Sequence, residues 1–574
     1  MNFADGANIG GDLNVTLGNS ADEIVAKVVA ALDQRGDSAK AVQAGLERET
    51  IFHLARCIRP EVIGFEQAVK ELENAVATAL DVIAKGERGS NQETFVEDIL
   101  KRLAETTKKG DFDAGAKTVD DGIAVLDQQA DALRRSRETL LEAGVEQDLL
   151  RRDPAAVARR IEAIAAMNRT GGNPAWSQTY RKRWIAFYAE GEEKGINLSL
   201  EVAIVMATRM LESADNADRR GIALIFLGTA LACLGERESG TIRLEKAVIS
   251  YREALQIINR DSNPRQWAIT QNHLGGALLA LGERERGTTQ FAAEAIFVYH
   301  QALEVCTREQ MPIDWAETKM DLGTAFHALG TALHAQGAGE SGRARLKEAI
   351  AAFHDALLVN VRIERPLEWA TTMMNLGNTL ARLGEWEGDT AWLEQAIAAF
   401  REALEENTRE RVPLAWCKIK INLGIALAAL GRQEPGIARF QEAVSSYHEA
   451  LQILIREQTP LLWAVAKNNL GLALAMLGVR ESCMTRLVEA IAAYREALEE
   501  NTRVRVPFLW AQTQENLASV YLAHFHDVCQ TCQLDAALEA VNGALEEYRR
   551  AESQFYIKKA EGLREVILGA KSNL

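Results

Sequence analysis

A proline followed three residues later by a tryptophan occurs six times in this chain: Pro264/Trp267, Pro312/Trp315, Pro366/Trp369, Pro413/Trp416, Pro460/Trp463 and Pro507/Trp510. The tryptophan intervals are 48, 54, 47, 47 and 47 residues. Eight residues after each tryptophan stands Gly275, Gly323, Gly377, Gly424 or Gly471, and in the last copy Ala518. Self-similarity at a period of this size means stacked supersecondary units, none able to bury its apolar face alone.

Within each unit the apolar spacing is helical twice. Around the glycine, leucines at −1, +3 and +6 (Leu423, Leu427, Leu430; Leu470, Leu474, Leu477) fall on one stripe of a first helix. After a break at Gly431 or Gly478, segments such as 393–409 and 487–503 carry a second stripe, Ala396, Ala399, Phe400, Ala403 and Leu404 in the former. Each unit is thus a predicted helical hairpin, with proline opening the next first helix, since it starts a helix well and continues one badly. The extra seven residues of the 54-residue interval, near 330–336, are expected to lengthen the first helix by almost two turns without rotating its stripe. Residues 227–255 form a further unit lacking the Pro and Trp, and 174–214 a more degenerate one. That makes seven clear units from about residue 218 to 551, closed by a predicted capping helix over 552–574.

The pattern of Leu-Gly in the first helix, then Ala, Tyr or Phe four residues on, and Ala after three more in the second, resembles the tetratricopeptide repeat family. The family's usual unit is 34 residues, and these longer ones are similar to the long-helix variants of kinesin light chains and of bacterial signalling and defence proteins. The resemblance implies an all-α, right-handed superhelical solenoid of antiparallel hairpins that binds a protein or peptide in its concave groove. In such superhelices an asparagine two residues before the repeat glycine hydrogen-bonds a ligand's backbone. Here that place holds Asn375, Asn422, Asn469 and Asn516, after His273 and Asp321, and an amide donates and accepts at once. The alternative is an asparagine bonding within its own repeat. Other positions that the resemblance places on the groove are Asn272, Met374, Ile421 and Asn468 before the glycine, and Asn378, Ile425, Leu472, Leu279 and Met476 after it. They are mostly apolar, unlike the basic clamp of chaperone-binding members, so an apolar or amphipathic partner segment is expected.

The chain has 574 residues, 47% hydrophobic and 25% charged, enough to bury a large core. Its net charge of −16 opposes any global attraction to nucleic acid or anionic membrane. Seven scattered cysteines form no disulfide framework and suggest a reducing, cytoplasmic setting. The N-terminal segment lacks the basic and apolar regions of a secretory signal. The longest apolar run, Gly221 to Gly235, is shorter than the roughly 20 residues a bilayer needs.

Before the repeats, a short strand is expected over 8–17, where Leu13, Val15 and Leu17 share a face. Helices are expected near 20–35, 41–57, 60–85, 92–108, 112–148, 154–168, 175–194 and 198–213. In the fifth, Val119, Ile123, Leu126, Ala130 and Leu133 make a short seam, read either as packing on neighbours or as a dimerisation helix giving a homo-oligomer. Residues 110–118, GDFDAGAKT, imitate a phosphate loop but have Ala116 where lysine belongs, and follow a charged helical segment instead of a buried strand. Arg134, Arg135, Arg137, Arg151, Arg152, Arg159, Arg160, Arg181, Lys182 and Arg183, interleaved with Trp176, Tyr180 and Trp184, could suit nucleic acid, but the acidic residues among them favour a solvated helix face. His524, His526, Cys529 and Cys532 are the one metal-like cluster; four ligands within nine residues are cramped, and no metal is assigned. An arginine stands four residues before each proline (Arg260, Arg308, Arg362, Arg409, Arg456, Arg503), read as structural: a cation at a helix C-terminus that can stack on the tryptophan.

The sequence therefore predicts an N-terminal extension (1–19), a helical domain (20–215), a repeat solenoid (216–551) and a cap (552–574). It predicts a non-enzymatic binding scaffold without cofactor. The competing readings are a regulatory or sensor subunit of a bacterial signalling or antiviral complex, and an enzyme with an unrecognised N-terminal site.

Overall fold

The computed structural model describes residues 21–572 apart from 35, 59–64, 89–93, 128–133, 168–172, 239, 285–288, 457–458, 529–530 and 552. The strand expected over 8–17 lies outside them. Among the described residues every regular element is helical. The chain divides into two compact units, one ending at Asn259 and one beginning at Arg260.

The N-terminal unit holds α1 (Ala21–Gln34), α2 (Asp37–Gln43), α3 (Arg48–Ile58), α4 (Phe65–Arg88), α5 (Thr94–Lys108), α6 (Phe112–Asp127), α7 (Arg134–Leu150), α8 (Pro154–Met167), α9 (Gln178–Lys194), α10 (Asn197–Glu212), α11 (Ala217–Gly235) and α12 (Ile242–Ile257). The helix expected over 41–57 is two, because Gly45 takes φ +94° and turns the chain between α2 and α3. The one expected over 112–148 is also two, α6 and α7. Residues 110–118 are a turn and the first residues of α6, with Gly110 at φ +72° and the Asp111 carboxylate accepting from the Ala114 N–H at 3.0 Å, an ordinary helix cap. Of the seam, Val119 and Leu126 pack with Val96, Ile99, Leu103 and Leu140, which is the neighbour-packing reading; Ala130 and Leu133 lie outside the described residues.

Trp176, Tyr180 and Trp184 are buried with Val157, Met206, Ala223 and Ala230, so the aromatics among the basic residues serve as core. That core also explains why packing groups the hairpin α11–α12 with the N-terminal helices, past the boundary expected at 215: Ala223 and Ala230 of α11 belong to it. The arginines form ion pairs, Arg152 with Glu71 at 2.9 Å, Arg160 with Asp148 at 2.5 Å, and Arg183 with Glu142. Glu71 is buried, and also accepts from the backbone N–H groups of Asn197 and Leu198, capping α10 from 126 residues away.

From Arg260 on, six hairpins follow: α13–α14 (Pro264–Arg284, Gln290–Leu303), α15–α16 (Pro312–Ala335, Gly339–Leu357), α17–α18 (Pro366–Glu387, Thr390–Glu406), α19–α20 (Pro413–Gln433, Ala438–Leu451), α21–α22 (Pro460–Glu481, Met484–Glu500) and α23–α24 (Pro507–Val528, Thr531–Arg550). The single helix α25 (Gln554–Ser572) closes the unit. Proline opens every first helix. The repeat glycine exists because the second helix lays an aromatic ring against it. A Cβ on Gly275, Gly377 or Gly424 would stand 2.5, 2.8 and 2.6 Å from Tyr299, Phe400 and Tyr447, closer than atoms pack.

The long interval is distributed differently from expectation. First helix α15 ends 12 residues after Gly323 (Ala335), whereas α17 ends 10 after Gly377 (Glu387); the turn gains one residue, and α16 starts four residues earlier relative to its ring. Most of the insertion therefore extends the second helix. Gly330 and Gly342 face each other there, each so close that a Cβ would meet the other's carbonyl within 3 Å, and this lets the extended hairpin close.

Successive hairpins are tied by the recurrent arginine. Arg260, Arg362, Arg456 and Arg503 lie 5.1–5.2 Å over Trp267, Trp369, Trp463 and Trp510. Each also pairs with carboxylates near the end of the next second helix, for example Arg456 with Glu499 and Glu500, both at 2.7 Å. The stacking matches expectation. The cation, however, bridges to the next repeat's glutamates, and Arg308 to the Leu358 carbonyl. Helices α19 and α21 are long and apolar enough to cross a membrane, yet most of that surface is buried between hairpins.

Candidate functional site: the inner face of the repeats

Consecutive first helices touch one another along the second unit, whereas consecutive second helices scarcely do. Stacked hairpins with one layer closer together curve around that layer, so the first helices line the inner face. The positions singled out in the sequence all lie on first helices.

They do not share one environment. Asn375, Asn422, Asn272, Asn378, Asn468, Met374, Ile425, Met476 and Leu279 are half-buried, while Asn469, Asn516, Ile421 and Leu472 are 1–4% exposed and pack inside. Several amides join neighbouring first helices: Asn272 Nδ2 donates to Thr318 Oγ1 at 2.6 Å, and Asn516 Nδ2 to Asn468 Oδ1 at 3.4 Å. Neither amide atom of Asn469 has a hydrogen-bond partner. Asn375 and Asn422 keep part of their surface open, and among the described residues no side chain or backbone group bonds their amides.

Two titratable groups share this face on α15. Burial, with the Glu317 carboxylate nearby, pushes Asp321 up to about 7. Burial and the Arg382 guanidinium bring His327 down to about 4, and its Nδ1 lies 3.0 Å from Thr379 Oγ1 of the next hairpin.

An open chamber of about 1110 Å3 lies in the unit. Its floor comes from Glu385 and Thr390, from Ala429, Arg432 and Gln433, and from Glu515, Ser519 and Leu522; its roof is α25, through Phe555, Lys558, Lys559, Gly562, Leu563 and Val566. Glu515, Ser519 and Leu522 stand at −3, +1 and +4 of the last repeat, the offsets of Met374, Ile425 and Leu279 in theirs. The inner-face register is thus realised in the chamber wall, although none of the sequence-chosen residues lines it. The chamber carboxylates are compensated: Glu385 pairs with Arg432 at 2.7 Å, and Glu515 accepts from the Tyr548 hydroxyl at 2.8 Å and faces Lys559 at 3.4 Å. Sequence reasoning missed this site because four distant segments make it. The available signal was the basic character of α25, with Lys558, Lys559, Arg564 and Lys571 against Glu561 and Glu565, in an acidic chain.

Of the metal-like cluster, the side chains of His526 and Cys529 lie outside what is described. Cys532 is exposed at the start of α24. Among the described residues no group of three or more potential ligands forms. In the N-terminal unit, the cavity beside Glu71 and Arg152 measures about 10 Å3, room for one water.

Compared with known proteins, residues 369–410 match the tetratricopeptide repeat family model. No curated protein matches the chain. Among solved structures, the Rap protein complexed with competence and sporulation factor is 11% identical, with a TM-score of 0.30, over 72% of this chain and 100% of that one. The TPR2AB-domain:pHSP90 complex of yeast Sti1 is 17% identical, with a TM-score of 0.17, over 50% and 98%. The matched segment spans Trp369, Gly377 and Phe400, the features that recur from hairpin to hairpin through Trp510. The likeness to the tetratricopeptide repeat family thus rests on residues 369–410.

Proposed function

We propose that this chain is a non-enzymatic scaffold that holds an apolar or amphipathic segment of a partner protein against the inner face of its repeats. The observation that carries the reading is the pair Asn375 and Asn422: half-open amides on consecutive first helices, unbonded among the described residues. An amide that is free to donate and accept can pair with an extended backbone. Met374, Asn378 and Ile425 surround them on the same helices and supply apolar and polar contact. Asn469 and Asn516 contribute, in this reading, to the stacking of first helices, being almost fully covered. Cys233, Cys306, Cys417 and Cys483 are free thiols, which supports a reducing, cytoplasmic location. The regulatory-subunit and enzyme readings have no specific observation in their favour: Glu71 and Asp148 of the N-terminal unit are occupied in a helix cap and ion pairs.

The experiment is site-specific photo-cross-linking in the full chain. A photoreactive phenylalanine analogue at Ile425, on the inner face, should capture a discrete partner that the same group at Phe297, 61% exposed on a second helix, does not. Equal capture at both positions, or at Phe297 alone, would overturn the inner-face reading.

A further inference from the structure

Helix α25 does more than cover the last hairpin. Its Ala560 and Ile567 are buried, and Tyr556 packs on Tyr548 and Phe508 with ring centroids 5.2 and 5.1 Å away, so that side anchors it. The opposite side is not close-packed. Phe555, Lys558, Lys559, Leu563 and Val566, spaced by three and four residues, look into the chamber, where Val566 keeps 54% and Phe555 37% of its surface exposed. Phe555 also reaches His334, ring centroids 5.7 Å apart, and His334 stacks on Trp386 at 3.8 Å. The helix therefore spans from the last hairpin to the end of α15, roofing α17 and α19 without filling the space beneath. An open concavity lined partly by apolar side chains is a form that takes up something from solution.

The chemistry of the walls states what that something is. Apolar surface comes mainly from the roof and from Leu522 and Ala429, while Thr390, Gln433 and Ser519 offer hydrogen bonds from the floor. Both carboxylates already have cations, Glu385 with Arg432 and Glu515 with Lys559. Lys558 has no partner among the described residues, so Arg432, Lys558 and Lys559 leave the lining one positive charge in excess. In a chain of net charge −16 this is a local reversal of sign, held in a concave, partly desolvated site where a charge acts most strongly.

We propose that the chamber beneath α25 is a binding site for a short acidic amphipathic peptide, its apolar side chains against Phe555, Leu563 and Val566 and a carboxylate beside Lys558. The volume, about 1110 Å3, exceeds the roughly 300–1,000 Å3 of drug-sized pockets and suits a peptide better than a metabolite. The proposal rests on the reading that the repeats bind peptides on their inner face, and it adds a site at α25 to the one at the asparagines.

The test selects random 12-residue peptides, displayed on phage, against the full chain, then measures the affinity of synthetic versions of the enriched sequences. Enriched peptides should carry Asp or Glu beside aromatic or aliphatic residues. Lys558→Glu and Val566→Trp should each weaken them about tenfold, and binding should fall with added salt. Both positions are exposed, so an unchanged melting temperature will show that the variants are folded. No enrichment, enrichment of basic peptides, or affinity indifferent to both substitutions would overturn the proposal. Peptides lost on Asn375→Ala and Asn422→Ala but unaffected at α25 would overturn the chamber while leaving the inner-face reading intact.

Discussion

The two units of this chain solve the same problem, burying helices on helices, by opposite means. In the repeats one set of contacts recurs: a ring on a glycine in five of the six hairpins, and in four of them a guanidinium that lies on a tryptophan and pairs with a glutamate near the end of the following second helix. Each contact is local, within a hairpin or between neighbours. In the N-terminal unit the decisive contacts occur once and over long range, as where Glu71 holds Arg152 and caps α10. Energy is spread thinly through the first architecture and concentrated in the second.

The largest expected effect follows from that concentration. Glu71→Ala leaves Arg152, 16% exposed, without its carboxylate and strips α10 of its cap. Breaking a buried pair by removing one partner costs about 3–5 kcal/mol, so the urea midpoint of the N-terminal unit should fall clearly. A loss no greater than that of an exposed surface pair would break the comparison.

Next comes a repeat position. Gly424→Ala places a Cβ 2.6 Å from the Tyr447 ring and should cost about 1–3 kcal/mol through overpacking. The loss should be felt by neighbouring hairpins only, read as hydrogen exchange rising around α19 and α20 and not in the N-terminal unit. Uniform loss of protection would show a single cooperative block.

A smaller, pH-dependent effect belongs to Asp321. Its folded value of about 7 lies above the ordinary carboxylate value, so between about pH 4 and 7 the folded chain keeps a proton the unfolded chain gives up. Stability from this group therefore falls as pH rises through that window. Asp321→Asn removes the fall: its melting temperature should exceed that of the parent more at pH 8 than at pH 4.5. An equal difference at both pH values would contradict the burial assigned to this carboxylate.

The contrast also explains what was legible in the sequence. Periodicity exposes contacts that recur, so Pro264 through Trp510 gave the hairpins, their glycines and the stacked arginines. The offsets −3, +1 and +4 that it singled out also occur in the chamber wall, at Glu515, Ser519 and Leu522. It could not rank members of that register. Asn422 and Asn469 are equivalent by spacing, yet one is half-open and the other 1% exposed, because stacking around each differs. Nor could it find contacts made once: Glu71 with Asn197, Gly330 with Gly342, or Phe555 with His334 join residues that no period relates.

That difference between equivalent asparagines gives the most direct test of peptide binding on the inner face. Asn375→Ala, Asn422→Ala and Asn469→Ala should be measured for partner affinity and for melting temperature. The account predicts that the first two each weaken binding by about 1–3 kcal/mol, the cost of leaving a buried backbone group unpaired, with melting temperatures unchanged. Asn469→Ala, which removes two unpaired buried atoms, should leave affinity nearly unaltered. Unchanged affinity for Asn375→Ala and Asn422→Ala, with lowered melting temperatures, would contradict the account and assign these amides to the fold alone.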